Sequence, residues 1–185
     1  SRTRSLTRHA AAWRAAIERA ASRGTALRPV EGLAPLGPDP RSHLEEFALL
    51  DTGELPRRGA DGRLSLYPQS AAVLVLLDAG RFIMGSSSGD IDEGPPKERS
   101  VPAFLIGKHE LSQGQWRTLM ATNPSRYRPR SWPGTTLLHP VETVNWHESR
   151  GYAWRVGCRL PTELEWEYAC RAGTTTRWWT GAEKA

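Results

Sequence analysis

The chain is 185 residues long, 38% apolar and 24% charged, with eight tryptophans and a formal charge of +5, which allows one domain with an appendage and a core of ordinary size. A basic globular surface is not expected: residues 1–30 hold seven arginines against one acid, Glu18, while the rest of the chain holds 18 bases and 19 acids, so no nucleic-acid partner is expected either. Two cysteines are too few for a disulfide framework, and the longest apolar run, residues 71–77, is too short to span a bilayer, so no membrane segment is expected. The compartment stays open, with the cytoplasm slightly favoured.

Residues 9–22 are alanine-rich, with Trp13, Ile17 and Ala20 or Ala21 on one stripe. They predict an amphipathic helix ended near Gly24, within an N-terminal region of residues 1–24, whose packing partner is expected outside the chain. From 25 to 70 the composition turns to proline, glycine and charge, with turn signals at Gly37-Pro38-Asp39-Pro40, Asp51-Thr52-Gly53 and Ala60-Asp61-Gly62. This reads as an extended linker with little regular structure, relieved by a short strand or helical turn at Leu44–Leu50. A folded region then covers residues 71–185. Ala71–Leu77 is a buried strand by length and bulk, Asp78-Ala79-Gly80 a turn, and Arg81–Gly85 its hairpin partner. The acidic loop around Asp90, Asp92 and Glu93 lacks an EF-hand's ligand pattern and reads as solvated. A strand follows at Phe104-Leu105-Ile106.

Three helices carry the same start signal, a capping residue followed three positions later by Glu or Gln. Ser112 with Gln115 opens one that places Trp116, Leu119 and Met120 on a face and closes at Asn123-Pro124-Ser125. Asn145 with Glu148 opens the second, with Tyr152 inward and an end near Gly157. Thr162 with Glu165 opens the third, with Pro161 fixing its entry, Trp166, Ala169 and Cys170 on one face, and Gly173 as its stop. The acids Glu163, Glu165 and Glu167 suit the positive end of the helix dipole, so they read as capping and solvating groups rather than catalytic carboxylates.

Cys170 reads as a buried structural thiol and Cys158 as a packing residue. His9, His43, His109, His139 and His147 show no i, i+4 pairing, so no metal site is expected from them. Trp116, Trp146, Trp154 and Trp166 read as core; Trp132, Trp178 and Trp179 lie outside predicted helices, where clustered exposed aromatics would mark a peptide or ligand surface.

The run R-L-P-T-E-L-E-W-E-Y-A-C-R-A-G at residues 159–173 resembles the signature of the sulfatase-modifying-factor, or formylglycine-generating-enzyme, family. Four further blocks agree in order: Gly80, Phe82, Met84 and Gly85 in G-x-F-x-M-G; Lys108–Ser112, similar to K-x-E-V-T; Asn123-Pro124-Ser125; and His139–Trp146, similar to H-P-V-x-x-V-S-W with Asn145 in place of the serine. Trp178-Trp179-Thr180-Gly181 stands where the family has an aromatic-Trp-x-Gly strand, and residues 37–64 are similar to a linker that follows a protein kinase in bacterial proteins. The resemblance implies an α+β, C-type-lectin-like formylglycine-generating fold, truncated, preceded by the helix and linker. It implies oxidation of a peptide cysteine to formylglycine in the complete domain, with a sulfatase-like peptide or protein as partner and copper and calcium as cofactors. The family's copper-binding cysteine pair lies near the domain's end, so this chain is expected to be an N-terminal half with no catalytic, binding or metal residue assigned within it. A non-catalytic lectin-like binding or sensor module attached to a kinase is the alternative.

Overall fold

The computed structural model describes residues 6–87, 93–176 and 180–181. Two compact units divide them: unit 1 runs to Leu76 and resumes over Leu105–Leu160, and unit 2 comprises Leu77–Phe104 and the segment from Pro161 on.

Unit 1 is built on a sheet of order β1-β2-β5-β8, with β1 Leu33–Pro38, β2 Glu45–Leu49, β5 Ala72–Leu77 and β8 Phe104–Gly107. Pro35 and Pro38 carry no N–H, which suits β1 to the sheet's edge. All five residues of β2 are buried, as a central strand requires, and β2 lies antiparallel to both β1 and β5, with Phe47 opposite Leu74. Two shorter strands, β3 Arg57–Arg58 and β4 Leu64–Ser65, pair separately. Helix α1, Ala10–Ser22, buries Trp13, Ala16 and Ala20. The two alanines lie four apart on one face and leave room for the indole of Trp13 to reach Phe47, ring centroids 5.3 Å apart. These residues share one core with Leu33, Leu49, Leu76, Trp116, Tyr152 and Val156.

Two expectations are corrected here. Residues 25–70 are not an irregular linker, since β1 and β2 make up half of the sheet, and the partner of α1 is this same segment. Composition misleads because Glu45 and Glu46 look like solvent markers, yet both are fully buried and each is ion-paired: Glu45 with Arg19 at 2.5 Å, Glu46 with Arg58 at 2.6 Å and with Lys108. The Leu44–Leu50 segment does form the short strand read from it, followed by a single 3-10 turn at Leu50–Thr52.

Unit 2 contains β6, Gly80–Met84, and β7, Lys97–Val101, paired antiparallel from Gly80 opposite Val101 to Met84 opposite Lys97. This overturns the expected 71–85 hairpin. Both edges of β5 are taken, by β2 and β8, and β6 pairs with a strand that lies beyond the acidic loop. Asp90 and Asp92 fall outside the described residues, as do Trp178 and Trp179.

The three capped helices are α2 Gln113–Met120 and α3 Trp146–Arg155 in unit 1, and α4 Glu163–Arg171 in unit 2. Each has both halves of its capping box. Ser112 Oγ accepts from the Gln115 N–H at 3.2 Å, Asn145 Oδ1 from Glu148 at 3.0 Å and Thr162 Oγ1 from Glu165 at 3.2 Å, with the return bonds at 2.8–2.9 Å. A local pattern of this kind is satisfied within one turn, which is why it is legible without knowledge of the packing. The stop of α4 is shared by Ala172, at φ +47°, and Gly173, at φ +80°.

Candidate functional site

In unit 2 the signature helix grips β6. Tyr168 packs edge-on against Phe82, 5.4 Å between centroids, and its hydroxyl donates to the Asp78 carbonyl at 3.1 Å. Gly80 must lack a side chain, because a Cβ there would stand 2.3 Å from the Tyr168 hydroxyl oxygen. The residue preceding Tyr168, Glu167, accepts the Gly85 N–H on Oε1 at 2.8 Å, and one turn further on Arg171 donates both to that carboxylate, at 2.6 Å, and to the Gly85 carbonyl, at 2.7 Å. Two motif blocks more than 80 residues apart thus complete one clamp, and Glu167 and Arg171 are consumed by it. Glu165 is buried as the return arm of the cap. Of the three acids, Glu165 takes the capping role read from the sequence, Glu163 is exposed in the first turn, and Glu167 is bound instead to Gly85 and Arg171.

The face of α4 is a correction. Trp166 and Cys170 are exposed, while Glu165 is the buried residue of the helix and Leu164, Tyr168 and Ala169 are half-buried. An i, i+3, i+4 set defines a stripe but not which stripe is covered. The tryptophans divide in the same way. Trp116 is 3% exposed and stacked on Tyr152 at 5.3 Å, whereas Trp146, Trp154 and Trp166 are 56%, 80% and 59% exposed and are not core among the described residues. On α3, Arg150 lies over the Trp146 ring at 5.1 Å, one turn before Trp154.

Cys158 packs at the margin of the unit 1 core, and burial pushes its thiol pKa up, which disfavours the thiolate. The two thiols therefore sit in different units, one half-buried and one exposed. No group of three His, Cys, Asp or Glu side chains that could hold a metal occurs among the described residues.

A different charged cluster ties β2 to the segment after β8. Lys108 Nζ donates to Asp39 at 2.6 Å and to Glu46. The Lys108 hydrogen bond, with the Ser42 and Arg41 N–H groups, holds the Asp39 carboxyl well below the usual range. Burial alone would lower Lys108, but its bonds to Asp39 and Glu46 outweigh that and raise it. Arg58 completes the cluster by donating to the Leu36, Gly37 and Gly62 carbonyls. Nothing in the sequence spacing signals this network, because its members lie up to 69 positions apart.

Two concavities open on unit 1. One, about 850 Å³, is lined by apolar groups including Leu74, Leu111, Val144 and Tyr152, with Cys158 among them. His109 also lines it, and burial followed by the neighbouring Lys108 pushes its pKa down. The other, about 550 Å³, has a mostly apolar lining that includes Tyr127, Trp132, Pro133 and Pro140, with Gln113, His139 and Glu142 as polar members. In the sequence Trp132 stands out as an aromatic outside the predicted helices, while His139, from which no metal site is expected, and Glu142 lie in the His139–Trp146 block; Tyr127 carries no local signal.

A solved structure, Treponema denticola variable protein 1, shares the fold at a TM-score of 0.51 and 24% identity, covering 58% of this chain and 55% of that one. The architecture is that of an α+β, formylglycine-generating-enzyme-like domain. The family model for the sulfatase-modifying factor enzyme 1-like domain matches residues 63–185, and the chain belongs to that family. It is 34% identical to the serine/threonine-protein kinase pkn1 of Chlamydia caviae over 122 residues, 55% of this chain and 20% of the kinase. With the formylglycine-generating enzyme of Bos taurus it shares 39% identity over 158 residues, 60% of this chain and 42% of the enzyme. The matched region spans less than half the length of either relative.

Proposed function

We propose that the complete domain oxidises a cysteine in a sulfatase-like peptide or protein to formylglycine, and that this chain supplies frame rather than reacting groups. The observation that carries the reading is the 39% identity with the bovine formylglycine-generating enzyme. The clamp that joins the two signature blocks through Tyr168, Glu167 and Arg171 supports it. Copper and calcium are implied for a complete domain. The thiols present here do not fit a two-thiolate copper site, because Cys158 is disposed to stay protonated and Cys170 is exposed in the other unit. No carboxylate cluster among the described residues fits calcium.

The test is aldehyde formation on a cysteine-containing peptide, read by mass spectrometry and hydrazide capture, with copper, oxygen and reductant supplied. A polypeptide carrying the complete domain should convert the peptide, and Cys158→Ser and Cys170→Ser should leave its turnover nearly intact. The 185-residue chain alone should not. Failure of the metal-loaded complete domain would sink the reading; aldehyde from this chain, lost on replacing either cysteine, would overturn the structural assignment of the thiols.

A second reading, a non-catalytic lectin-like binding or sensor module joined to a kinase, is supported by the similarity to pkn1. A complete domain without a closely spaced cysteine pair would favour it.

A further inference from the structure

The larger cavity of unit 1, about 850 Å³, has polar lining groups that are almost all engaged by the protein itself. Ser112 and Gln115 bond each other in the cap of α2, and the Gln115 amide also donates to the Ser70 carbonyl at 3.1 Å. The Ser70 hydroxyl accepts the Tyr67 N–H at 3.0 Å, the Ser149 hydroxyl donates to the Asn145 carbonyl at 3.0 Å, and the Tyr152 hydroxyl donates to that of Gln115 at 3.3 Å. The Trp116 indole N–H donates to the Thr122 hydroxyl at 3.4 Å, and the Cys158 thiol to the Val156 carbonyl at 3.9 Å. A molecule inside the cavity therefore meets leucine, valine and ring surface, and its own polar groups would find no side chain waiting for them there.

The exception is a pair of consecutive residues, His109 and Glu110. Both line the cavity and both are exposed, which puts them at its rim. Among the described residues no hydrogen bond or ion pair engages the Glu110 carboxylate, and Glu110 is the one charged residue of the lining. The adjacent Lys108 ammonium is spent on Asp39 and Glu46. Burial, and then Lys108, lowers the His109 pKa, so that ring brings no charge at neutral pH. The rim thus carries one uncompensated negative charge beside an apolar interior. It repels a hydrophobic carboxylate, is indifferent to an alcohol and attracts an ammonium group. The volume falls within the range of about 300–1,000 Å³ usual for small-molecule sites.

We propose that this cavity binds a small apolar amine, its hydrocarbon or aromatic body among Leu74, Leu111, Val144 and Tyr152 and its ammonium group at Glu110. The site stands whether the complete domain oxidises cysteine or only binds, and its test reads binding alone.

Isothermal titration of the 185-residue chain at neutral pH with phenylbutylamine, phenylbutanol and phenylbutyrate, which share one body and differ in the head group, provides that test. The amine should bind tightest, about threefold above the alcohol, as for a partly exposed ion pair, and the carboxylate weakest. Glu110→Gln, at an exposed position, should bring the amine down to the affinity of the alcohol and leave the alcohol unchanged. Trp154→Ala should alter none of the three, which separates the cavity from cation–π binding at an exposed indole. Saturating amine should also slow alkylation of Cys158 by iodoacetamide severalfold, read by peptide mass spectrometry, because that thiol lines the cavity; Cys170, in the other unit, should react as before. The proposal is overturned if the amine does not bind, if the alcohol or the carboxylate binds as tightly, if the preference survives Glu110→Gln or depends on Trp154, if Cys158 is not protected, or if a capped Leu-Leu-Lys peptide binds more tightly than the amine.

Discussion

Unit 1 closes around Trp13, Phe47, Trp116 and Tyr152, four aromatic side chains with at most 6% of their surface exposed. Among its described residues unit 2 has three half-buried aromatics, Phe82, Phe104 and Tyr168, together with the Glu167–Gly85–Arg171 clamp and the missing side chain of Gly80. Where apolar bulk is ample, even two adjacent glutamates can be buried, provided each finds a guanidinium or ammonium partner. Where it is scant, shape at single glycines and charge-assisted bonds to backbone groups specify the arrangement. The first kind of region should fail when volume is removed, the second when volume is added or a polar bond is deleted.

The largest effect is expected from Phe47→Ala, which should cost about 3–5 kcal/mol by chemical denaturation, as for other large buried aromatics. A loss near zero would return residues 25–70 to the status of a linker. Gly80→Ala in unit 2 should cost about 1–3 kcal/mol through overpacking. Part of that should be recovered in a Tyr168→Phe background, since the hydroxyl is the nearest atom the new methyl meets, though ring carbons at 3.0 and 3.2 Å remain. An equal cost with and without the hydroxyl would break the proposed contact.

Acid should weaken unit 1 through Asp39. Its carboxyl is depressed in the folded state, chiefly by Lys108, so its contribution is present above the unfolded value near pH 4 and is lost as pH falls below it. Asp39→Asn should lower the melting temperature at neutral pH and flatten its decline in acid; an unchanged acid limb would remove Asp39 from the account. Lys108, raised in the folded state, contributes below about pH 10.5 and ceases to as pH rises through its folded value. Thr162→Ala should cost about 1 kcal/mol through loss of the cap, and an unchanged melting temperature would count against that helix start. The smallest effect is expected from Trp154→Ala, within about 0.5 kcal/mol for so exposed a side chain; Trp116→Ala, the buried counterpart, should cost about 3–5 kcal/mol.

Legibility follows the range of the interaction. The starts of α2, α3 and α4 and the strand at 45–49 can be read from a few neighbouring residues. The pairing of β5 cannot, because two apolar strands with a turn between them suggest a hairpin, and only the competition among β2, β6 and β8 decides which edge is filled. Of the smaller concavity, Trp132 is visible as an aromatic outside the helices, whereas Tyr127 and Glu142 become partners only through a side-chain-to-backbone bond across 15 positions.

By itself the sequence determined the family, through residues 80–85 and 159–173, and the local elements whose bonds close within one turn. Tertiary structure alone decided that Glu45 and Glu46 are core residues, that α1 covers β1 and β2, that the Trp116 indole is buried and those of Trp154 and Trp166 are not, and that Glu167 and Arg171 close on Gly85. Amphipathic spacing and composition state which residues are able to be buried. Which of them are buried depends on partners tens of residues away, whose apolar surface or opposite charge must offset the loss of water.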